Sequence, residues 1–206
     1  MTNDIIVLDD IISLAYQNKI LEELENPTIG WNFLESTVYH NNQPLKIKEN
    51  NNHSGELFFI DDNTVDSMQL TFLMQSPNSP VLDPLANLFF PLVYTAMEKA
   101  NIQGPIVRLK ANILLHNKDM VEGKYNHAHI DGDLPHNVLV YYVNDSDGDT
   151  FIFNEKYKTS FDKLTIKQRI TPKKGRVVIF PGEYMHTSSN PIKSQKRIII
   201  NCDILK

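Results

Sequence analysis

The sequence has little cysteine, no long apolar run and no excess of positive charge. Cys202 is the only cysteine in 206 residues, so the chain has neither an internal disulfide nor a cysteine-rich zinc site. No stretch approaches the roughly 18 consecutive apolar residues of a membrane-spanning helix, which predicts that no helix crosses a membrane. The net charge of −5 disfavours a general coat for nucleic acid.

The amino-terminal sequence and the absence of certain motifs exclude further classes of protein. The segment Met1–Asp10 is acidic and lacks the cationic region with which a signal peptide begins, so we expect a cytoplasmic protein. The chain contains no Walker loop, no GxGxxG motif and no internal repeat, which disfavours nucleotide-binding folds. With 41% hydrophobic and 22% charged residues, its composition is typical of one globular domain.

Two helices are expected in the first half of the chain. Asp10 is the predicted N-cap of the first helix, and Pro27 ends it. Its apolar face repeats every four residues, at Ile12, Tyr16, Ile20 and Leu24. The second helix is predicted to start at Asp83 with Pro84 in its first position, and Pro91 should kink or divide it. Residues 1–104 therefore suggest a helical and mixed support.

From about residue 105 the pattern becomes that of short β-branched strands separated by turn formers. The expected strands in this part are Ile106–Leu115, Asn126–Asp131, Val138–Val143, Thr150–Asn154, Arg176–Phe180 and Lys196–Asp203. Three further strands are expected in the first half of the chain, at Trp31–Tyr39, Glu56–Ile60 and Met68–Met74. We expect one turn of helix within Ser160–Lys167 and loops over Lys46–Ser54 and Asn117–Lys124 that act as lids. The fold class is mainly β with flanking helices (α+β), an antiparallel sandwich or jelly roll formed by one domain, 1–206, whose β-core is 105–206.

One segment carries most of the chemistry. In Tyr125-Asn-His-Ala-His-Ile-Asp-Gly-Asp133, a strand would place His127, His129, Asp131 and Asp133 on one face, because alternate residues of a strand point the same way. A His-x-Asp pair then offers one nitrogen and one oxygen to a single metal ion. On geometry alone His127 with Asp131 is an alternative pair.

His186 is the best candidate for a third ligand, because it follows a predicted strand and the turn Pro181-Gly182. Two histidines and one carboxylate are the ligands of the facial triad of non-haem Fe(II) oxygenases. Arg197 lies eleven residues further on, after a stretch of turn formers, so it returns beside the metal on a neighbouring strand. A guanidinium in that place suits the far end of a dicarboxylate that chelates the metal. A salt-bridged strand residue is the alternative interpretation of Arg197.

Here the sequence resembles a family. The pattern His129-Ile-Asp131, His186 and Arg197 resembles the HxD…H…R signature of the Fe(II)/2-oxoglutarate-dependent dioxygenases, whose core is a double-stranded β-helix, a distorted jelly roll. Further stretches resemble the prolyl-4-hydroxylase-like branch: Tyr141-Tyr-Val-Asn144, Asp147-Gly-Asp-Thr150 (with Asp147 where the branch has glycine), and Pro172–Phe180. The resemblance covers about Ile106 to Ile204, and its HxD spacing favours His129 over His127, which becomes a neighbour of the site.

The resemblance implies an enzyme and its cofactors. Fe(II) would be held by His129, Asp131 and His186, 2-oxoglutarate and O2 would be consumed, and ascorbate would serve as an additional reductant. Tyr142, with Arg197, would bind the far carboxylate of 2-oxoglutarate; Tyr125 is a weaker candidate for the same role, and core packing is the alternative for Tyr142. Two residues of the preceding strand are further candidates for the cavity wall: Arg108 and Asn112.

The expected reaction is hydroxylation of a C–H bond, with release of succinate and CO2, in a prolyl or similar residue of a peptide or protein. Oxygenation of a nucleic acid or a free amino acid, a cupin-like isomerase, and a non-enzymatic jelly-roll binding protein are the alternatives. The basic run 156–176 is expected to be a solvated edge, with guidance of an acidic substrate as the alternative. The sequence leaves the oligomeric state open.

Overall fold

The computed structural model describes residues 4–40, 43–44, 53–54, 58–76, 82–159 and 161–206. In chain order its elements are β1 (Ile6–Leu8), α1 (Leu14–Leu24), β2 (Asn32–Leu34), β3 (Tyr39–His40), β4 (Gln43–Pro44), β5 (His53–Ser54), β6 (Phe58–Ile60), β7 (Gln69–Gln75), α2 (Ala86–Ala100), β8 (Ile106–Leu115), β9 (Ala128–His129), β10 (His136–Tyr142), β11 (Thr150–Lys156), β12 (Ile166–Ile170), β13 (Val177–Pro181), β14 (Tyr184–Ser188) and β15 (Lys196–Leu205).

Two antiparallel sheets dominate the described chain. The larger has the order β1-β13-β10-β15-β8-β7-β2, the smaller has the order β12-β11-β14-β9-β6-β5, and β3 pairs with β4. Successive strands from β8 onward alternate between the two large sheets with few exceptions, as in a jelly roll. The mainly β prediction is therefore confirmed.

The larger sheet is covered on one face by apolar side chains from both helices. One hydrophobic cluster contains Ile20 and Leu24 of α1, Phe89 of α2, and sheet residues such as Leu139 and Ile200. These side chains are at most 1% exposed, so the cluster removes the apolar faces of helix and sheet from water together. A separate cluster that includes Val140, Tyr142 and Ile199 lies between the sheets.

The predicted start of the first helix was wrong by three residues. Ser13, not Asp10, is the N-cap of α1, and its hydroxyl accepts a hydrogen bond from the backbone N–H of Tyr16. Asp10 has a positive φ of 53°, and its carboxylate accepts from the Gln17 side chain instead. Asp10 therefore belongs to the turn that leads into the helix.

The second helix also differs from its prediction. Asp83 accepts a hydrogen bond from Leu85 N–H in a turn, and α2 begins only at Ala86. Pro91 lies inside α2 without dividing it, because proline removes one N–H donor while the rest of the helix keeps its hydrogen bonds and its buried face.

Three strands that lie beside the site were missed or shortened. The predicted turn of helix within Ser160–Lys167 was wrong for the described residues, since 161–165 contain only a bend and β12 begins at Ile166. The mostly polar sequence of β12 gave no strand pattern, and Ser160 itself lies outside the described residues. His186 lies within β14 rather than after a strand, and the expected strand Asn126–Asp131 shrinks to the two residues of β9. Most of the predicted loop Lys46–Ser54 lies outside the described residues.

Candidate metal centre

Three potential metal ligands meet where β9 and β14 pair. His129 and His186 are directly opposite each other in the ladder, and Asp131 follows β9 by two residues. Nε2 of His186 lies 3.3 Å from Oδ2 of Asp131, and Nε2 of His129 lies 3.9 Å from its Oδ1. The three ligand atoms lie within 4.8 Å of one another, which is close enough for one ion to touch all three.

Both imidazoles are oriented through their other ring nitrogen. Nδ1 of His129 lies 2.9 Å from the carbonyl of His127, and Nδ1 of His186 lies 3.0 Å from the carbonyl of Tyr184. A carbonyl only accepts, so each Nδ1 carries the proton and each Nε2 keeps its lone pair for a metal. Burial, together with the neighbouring His186, lowers the pKa of His129 to about 3, so His129 is a neutral ligand at neutral pH.

The carboxylate of Asp131 is held ionised. Burial raises its pKa, but the guanidinium of Arg108, together with His186 and Lys110, outweighs burial and holds the pKa of Asp131 well below its usual value. Arg108 Nη2 lies 2.5 Å from Oδ1 of Asp131, and its Nε lies 2.7 Å from Asp203. The amide of Asn201 donates to Oδ2 at 3.4 Å. Arg108 therefore fixes one oxygen of the carboxylate while the other faces His186.

A second polar group lies on the same cavity at the start of β15. Arg197 is 2% exposed and donates from Nη2 to the hydroxyl of Thr150 at 2.7 Å. The hydroxyl of Tyr142 donates to the same oxygen at 2.7 Å, and the guanidinium carbon lies 5.6 Å from the centre of the Tyr142 ring. Burial lowers the pKa of Arg197, although a guanidinium stays charged in proteins.

The buried charge of Arg197 has no anionic partner among the residues that the structure describes. Among the residues that the structure describes it forms no ion pair, and its Nε has no hydrogen-bond partner. A buried charge without a partner is costly, and a carboxylate satisfies a guanidinium bidentately. The residues therefore fit a ligand that carries a carboxylate at this end and metal-chelating oxygens at the other.

The cavity between these two groups is lined from several strands. His129, His186 and Arg197 all line it, together with Thr37, Gln69, Lys110, Asn112, Leu114, Val140, Thr150, Thr187, Ser188, Ile199 and Asn201. Burial lowers the pKa of Lys110 to about 8. Asn112 thus lies on the wall, as the sequence suggested, whereas Arg108 is engaged by the two carboxylates.

The structure places three of the singled-out residues elsewhere. His127 is fully buried, and its Nε2 lies 3.0 Å from Oδ1 of Asp66; it contributes its carbonyl to His129, not its ring. Tyr125 donates to Asp61 at 2.6 Å and packs against Phe151, away from the lining of the cavity. Asp133 is exposed. Strict alternation fails here because β9 is only two residues long.

Sequence reasoning missed three residues at the cavity and its edge. Thr150 joins Tyr142 to Arg197, Lys110 lies on the wall between Arg108 and Asn112, and Asp203 pairs with Arg108. Strand alternation could have indicated two of them, because alternate residues of a strand face the same side of a sheet. Lys110 lies on the same face of β8 as Asn112, and Asp203 lies on the same face of β15 as Arg197. Thr150 ended the stretch Asp147-Gly-Asp-Thr150 that resembles the branch, but its position in the sequence indicated no role at the cavity.

The basic run is largely neutralised by carboxylates. Five of its cations form ion pairs, which are Lys156–Glu183, Lys167–Asp4, Arg169–Asp149, Lys173–Asp9 and Arg176–Asp9. The second predicted lid, Asn117–Lys124, forms successive turns. In the described part of the chain no helix is both long and apolar enough to cross a membrane.

Comparison with known proteins finds relatives through structure alone. No family model matches the chain, and no curated protein matches it. A viral collagen prolyl hydroxylase of Paramecium bursaria Chlorella virus-1, solved with 2-oxoglutarate, superposes with a TM-score of 0.53 at 15% identity over 98% of this chain and 96% of that one.

Two further solved structures have a similar fold. A prolyl hydroxylase of Trichoplax adhaerens, in complex with a peptide of the hypoxia-inducible factor oxygen degradation domain, gives a TM-score of 0.56 at 10% identity over 98% and 84% of the chains. A 2OG-Fe(II) oxygenase family oxidoreductase of Burkholderia pseudomallei gives 0.60 at 9% identity over 97% and 84%. The fold is that of the 2-oxoglutarate–Fe(II) oxygenases.

This oxygenase fold accounts for the layout of the site. Its core sheets bring the pair His129 and Asp131, the distal His186 and the buried Arg197 to one cavity. At these levels of identity the comparisons speak to the fold, and the chemistry of the site depends on the residues described above.

Proposed function

We propose that this protein is an Fe(II)- and 2-oxoglutarate-dependent oxygenase that hydroxylates a C–H bond, with succinate and CO2 as coproducts. One observation carries the proposal: a cluster of two histidines and one carboxylate shares a cavity with a buried arginine that forms no ion pair among the described residues. A metal at one end and a carboxylate at the other are what 2-oxoglutarate requires.

The residues of the site have separate roles in the proposed reaction: some hold the metal, some bind 2-oxoglutarate and some line the cavity. His129, Asp131 and His186 hold the iron, which when bound supplies the activation of O2 for attack on the C–H bond. Arg197 binds the far carboxylate of 2-oxoglutarate, and Thr150 accepts hydrogen bonds from both the Arg197 guanidinium and the Tyr142 hydroxyl. The predicted contact of Tyr142 with the same carboxylate stays part of the proposal and requires its hydroxyl to turn from Thr150 to the ligand. The apolar side chains of Val140, Ile199 and Leu114 line the same cavity, where they would limit the access of water to the reacting groups.

The proposed substrate is a prolyl or similar residue of a peptide or protein. Support comes from the prolyl hydroxylases among the structural neighbours, one of which binds a peptide. The ion-paired basic run gives no support to a nucleic acid. Ascorbate is proposed as the reductant that keeps the iron in its Fe(II) state.

The first test is binding followed by turnover. Anaerobic addition of Fe(II) and 2-oxoglutarate to the apo protein should produce a metal-to-ligand charge-transfer band, and admission of O2 should then produce succinate. His186→Ala, which removes one ligand, should abolish the band. Folded wild-type protein that gives no band would contradict the proposal.

The role of Arg197 is tested by a matched pair of ligands. Wild-type protein with bound Mn(II) should prefer 2-oxoglutarate to 2-oxopentanoate, which lacks the far carboxylate, by about tenfold or more. Arg197→Met should bind both ligands equally weakly while its Mn(II) affinity changes little. An equal loss of metal and 2-oxoglutarate affinity would argue against this role.

A further inference from the structure

Three cations line or border the cavity, and they differ in what neutralises them. Arg108 is paired with both Asp131 and Asp203. Arg197 is reserved by the proposed function for the far carboxylate of 2-oxoglutarate. Lys110 forms neither a hydrogen bond nor an ion pair with any residue that the structure describes.

Lys110 is placed on the wall by regular sheet geometry. It lies on β8 directly opposite Asn201 of β15, and Asn201 donates to the metal-ligand carboxylate of Asp131. Lys110 and Asn201 both line the cavity that contains His129 and His186. The ammonium group is therefore on the same side of the sheet as the metal site and is partly buried.

The charges of the loaded site leave one positive charge in excess. The two charges of the iron balance the two of 2-oxoglutarate, while Arg108, Arg197 and Lys110 bring three positive charges against the two negative charges of Asp131 and Asp203. We assign the excess to Lys110, because Arg108 contacts both carboxylates directly and Arg197 is reserved for 2-oxoglutarate. A cation held in a poorly hydrated cavity gains most from an anion that enters beside it.

We infer that Lys110 binds a carboxylate group beside the metal site, an inference that rests on the proposed function. Two ligands can supply that group. One is 2-oxoglutarate itself, through the carboxylate next to its keto group. The other is the substrate, in which case the enzyme selects substrates with a carboxylate close to the C–H bond that is hydroxylated.

The experiment compares Lys110→Met and Lys110→Arg with wild type. Lys99→Met serves as the matched control, because Lys99 is exposed on α2 and its loss changes the net charge equally. The first arm measures the Kd of 2-oxoglutarate for protein with bound Mn(II) by calorimetry. The second arm measures binding of acetate and L-proline against acetamide and L-prolinamide, with metal-free protein and with protein loaded with Mn(II) and 2-oxoglutarate.

The two possible donors of the carboxylate, 2-oxoglutarate and the substrate, predict different results. If the cosubstrate supplies the carboxylate, Lys110→Met raises the Kd of 2-oxoglutarate about tenfold or more, and Lys110→Arg restores most of the affinity. If the substrate supplies it, the Kd of 2-oxoglutarate is unchanged, wild type prefers the carboxylates to the amides, and Lys110→Met removes that preference.

Unchanged binding in both arms would overturn the role of Lys110, whatever the effect of the substitution on stability. The failure of the proposed function looks different, because wild-type protein with bound Mn(II) would then not bind 2-oxoglutarate. In that case the metal-free measurements with acetate and L-proline still report on Lys110.

Discussion

The surroundings of His129 suit the metal-binding role that we propose for it. Its Nδ1 contacts the carbonyl of His127 at 2.9 Å, so its Nε2 is the free nitrogen. Burial and the neighbouring His186 lower its pKa to about 3, against an ordinary value of 6.5. The fold thereby keeps the ligand neutral, and the same shift makes the stability of the apo protein depend on pH.

We predict that His129→Gln flattens this dependence. Between about pH 6.5 and pH 3 the unfolded chain protonates His129 and the folded chain does not. The free energy of unfolding therefore falls as the pH falls through this range, by up to about 1.4 kcal/mol per pH unit from this residue. Urea unfolding in EDTA at several pH values measures the slope. His116→Gln, at an exposed position, should retain the wild-type slope; parallel slopes for wild type and His129→Gln would contradict the prediction.

At the scale of elements, the turn between β10 and β11 positions the end of the cavity that holds Arg197. Gly148 in this turn packs closely against the segment that precedes β15. A Cβ added at Gly148 would lie 2.6 Å from the backbone oxygen of Ser189 and 3.1 Å from Cδ of Arg197. The turn and the arginine are therefore in direct contact, and the glycine of the Asp147-Gly-Asp-Thr150 stretch leaves room for both.

Gly148→Ala should consequently affect both stability and 2-oxoglutarate binding. Because the clash is with backbone, the segment must shift, at an expected cost of about 1–3 kcal/mol in the free energy of unfolding. We also expect weaker 2-oxoglutarate binding with unchanged Mn(II) binding. Gly30→Ala is the control, since nothing lies within 4 Å of its added Cβ, and it should change stability by less than about 0.5 kcal/mol. Equal effects of the two substitutions would refute this explanation.

At the scale of the whole molecule, the two halves of the sequence share one sheet and one core. Strands β2 and β7 extend the sheet that contains β8, β15 and β10, and the largest hydrophobic cluster combines both helices with that sheet. We therefore propose that residues 1–206 form a single domain in which 1–104 support the β-core of 105–206.

A single domain should unfold in one cooperative transition. Trp31 reports on the first half, where its ring lies 6.2 Å from that of Phe72. Cys202, which is free and fully buried in β15, reports on the second half through its reactivity with a thiol reagent. In urea, tryptophan fluorescence and Cys202 reactivity should give the same midpoint. Two separate midpoints would show that the halves fold independently.

Local sequence was sufficient for the strands that are long and buried, and for the identity of the candidate ligands. The strand Ile106–Leu115 was predicted with its observed bounds, because its apolar residues alternate with Arg108, Lys110 and Asn112, which is the period of a strand. The chemistry of His129, Asp131, His186 and Arg197 depends on residue type and spacing, which are properties of the chain itself.

Only the tertiary structure decided which neighbours complete the cavity. Thr150 contacts Arg197 across 47 positions of sequence, and Arg108 on β8 contacts Asp131 in the loop after β9; no local pattern encodes such contacts. His127 and His129 stand in the same local pattern, yet His127 contacts Asp66 and His129 faces the candidate metal site, because the short β9 does not impose strict alternation. The sequence determines which residue types are available as ligands, whereas strand pairing and burial determine which of their atoms come into contact.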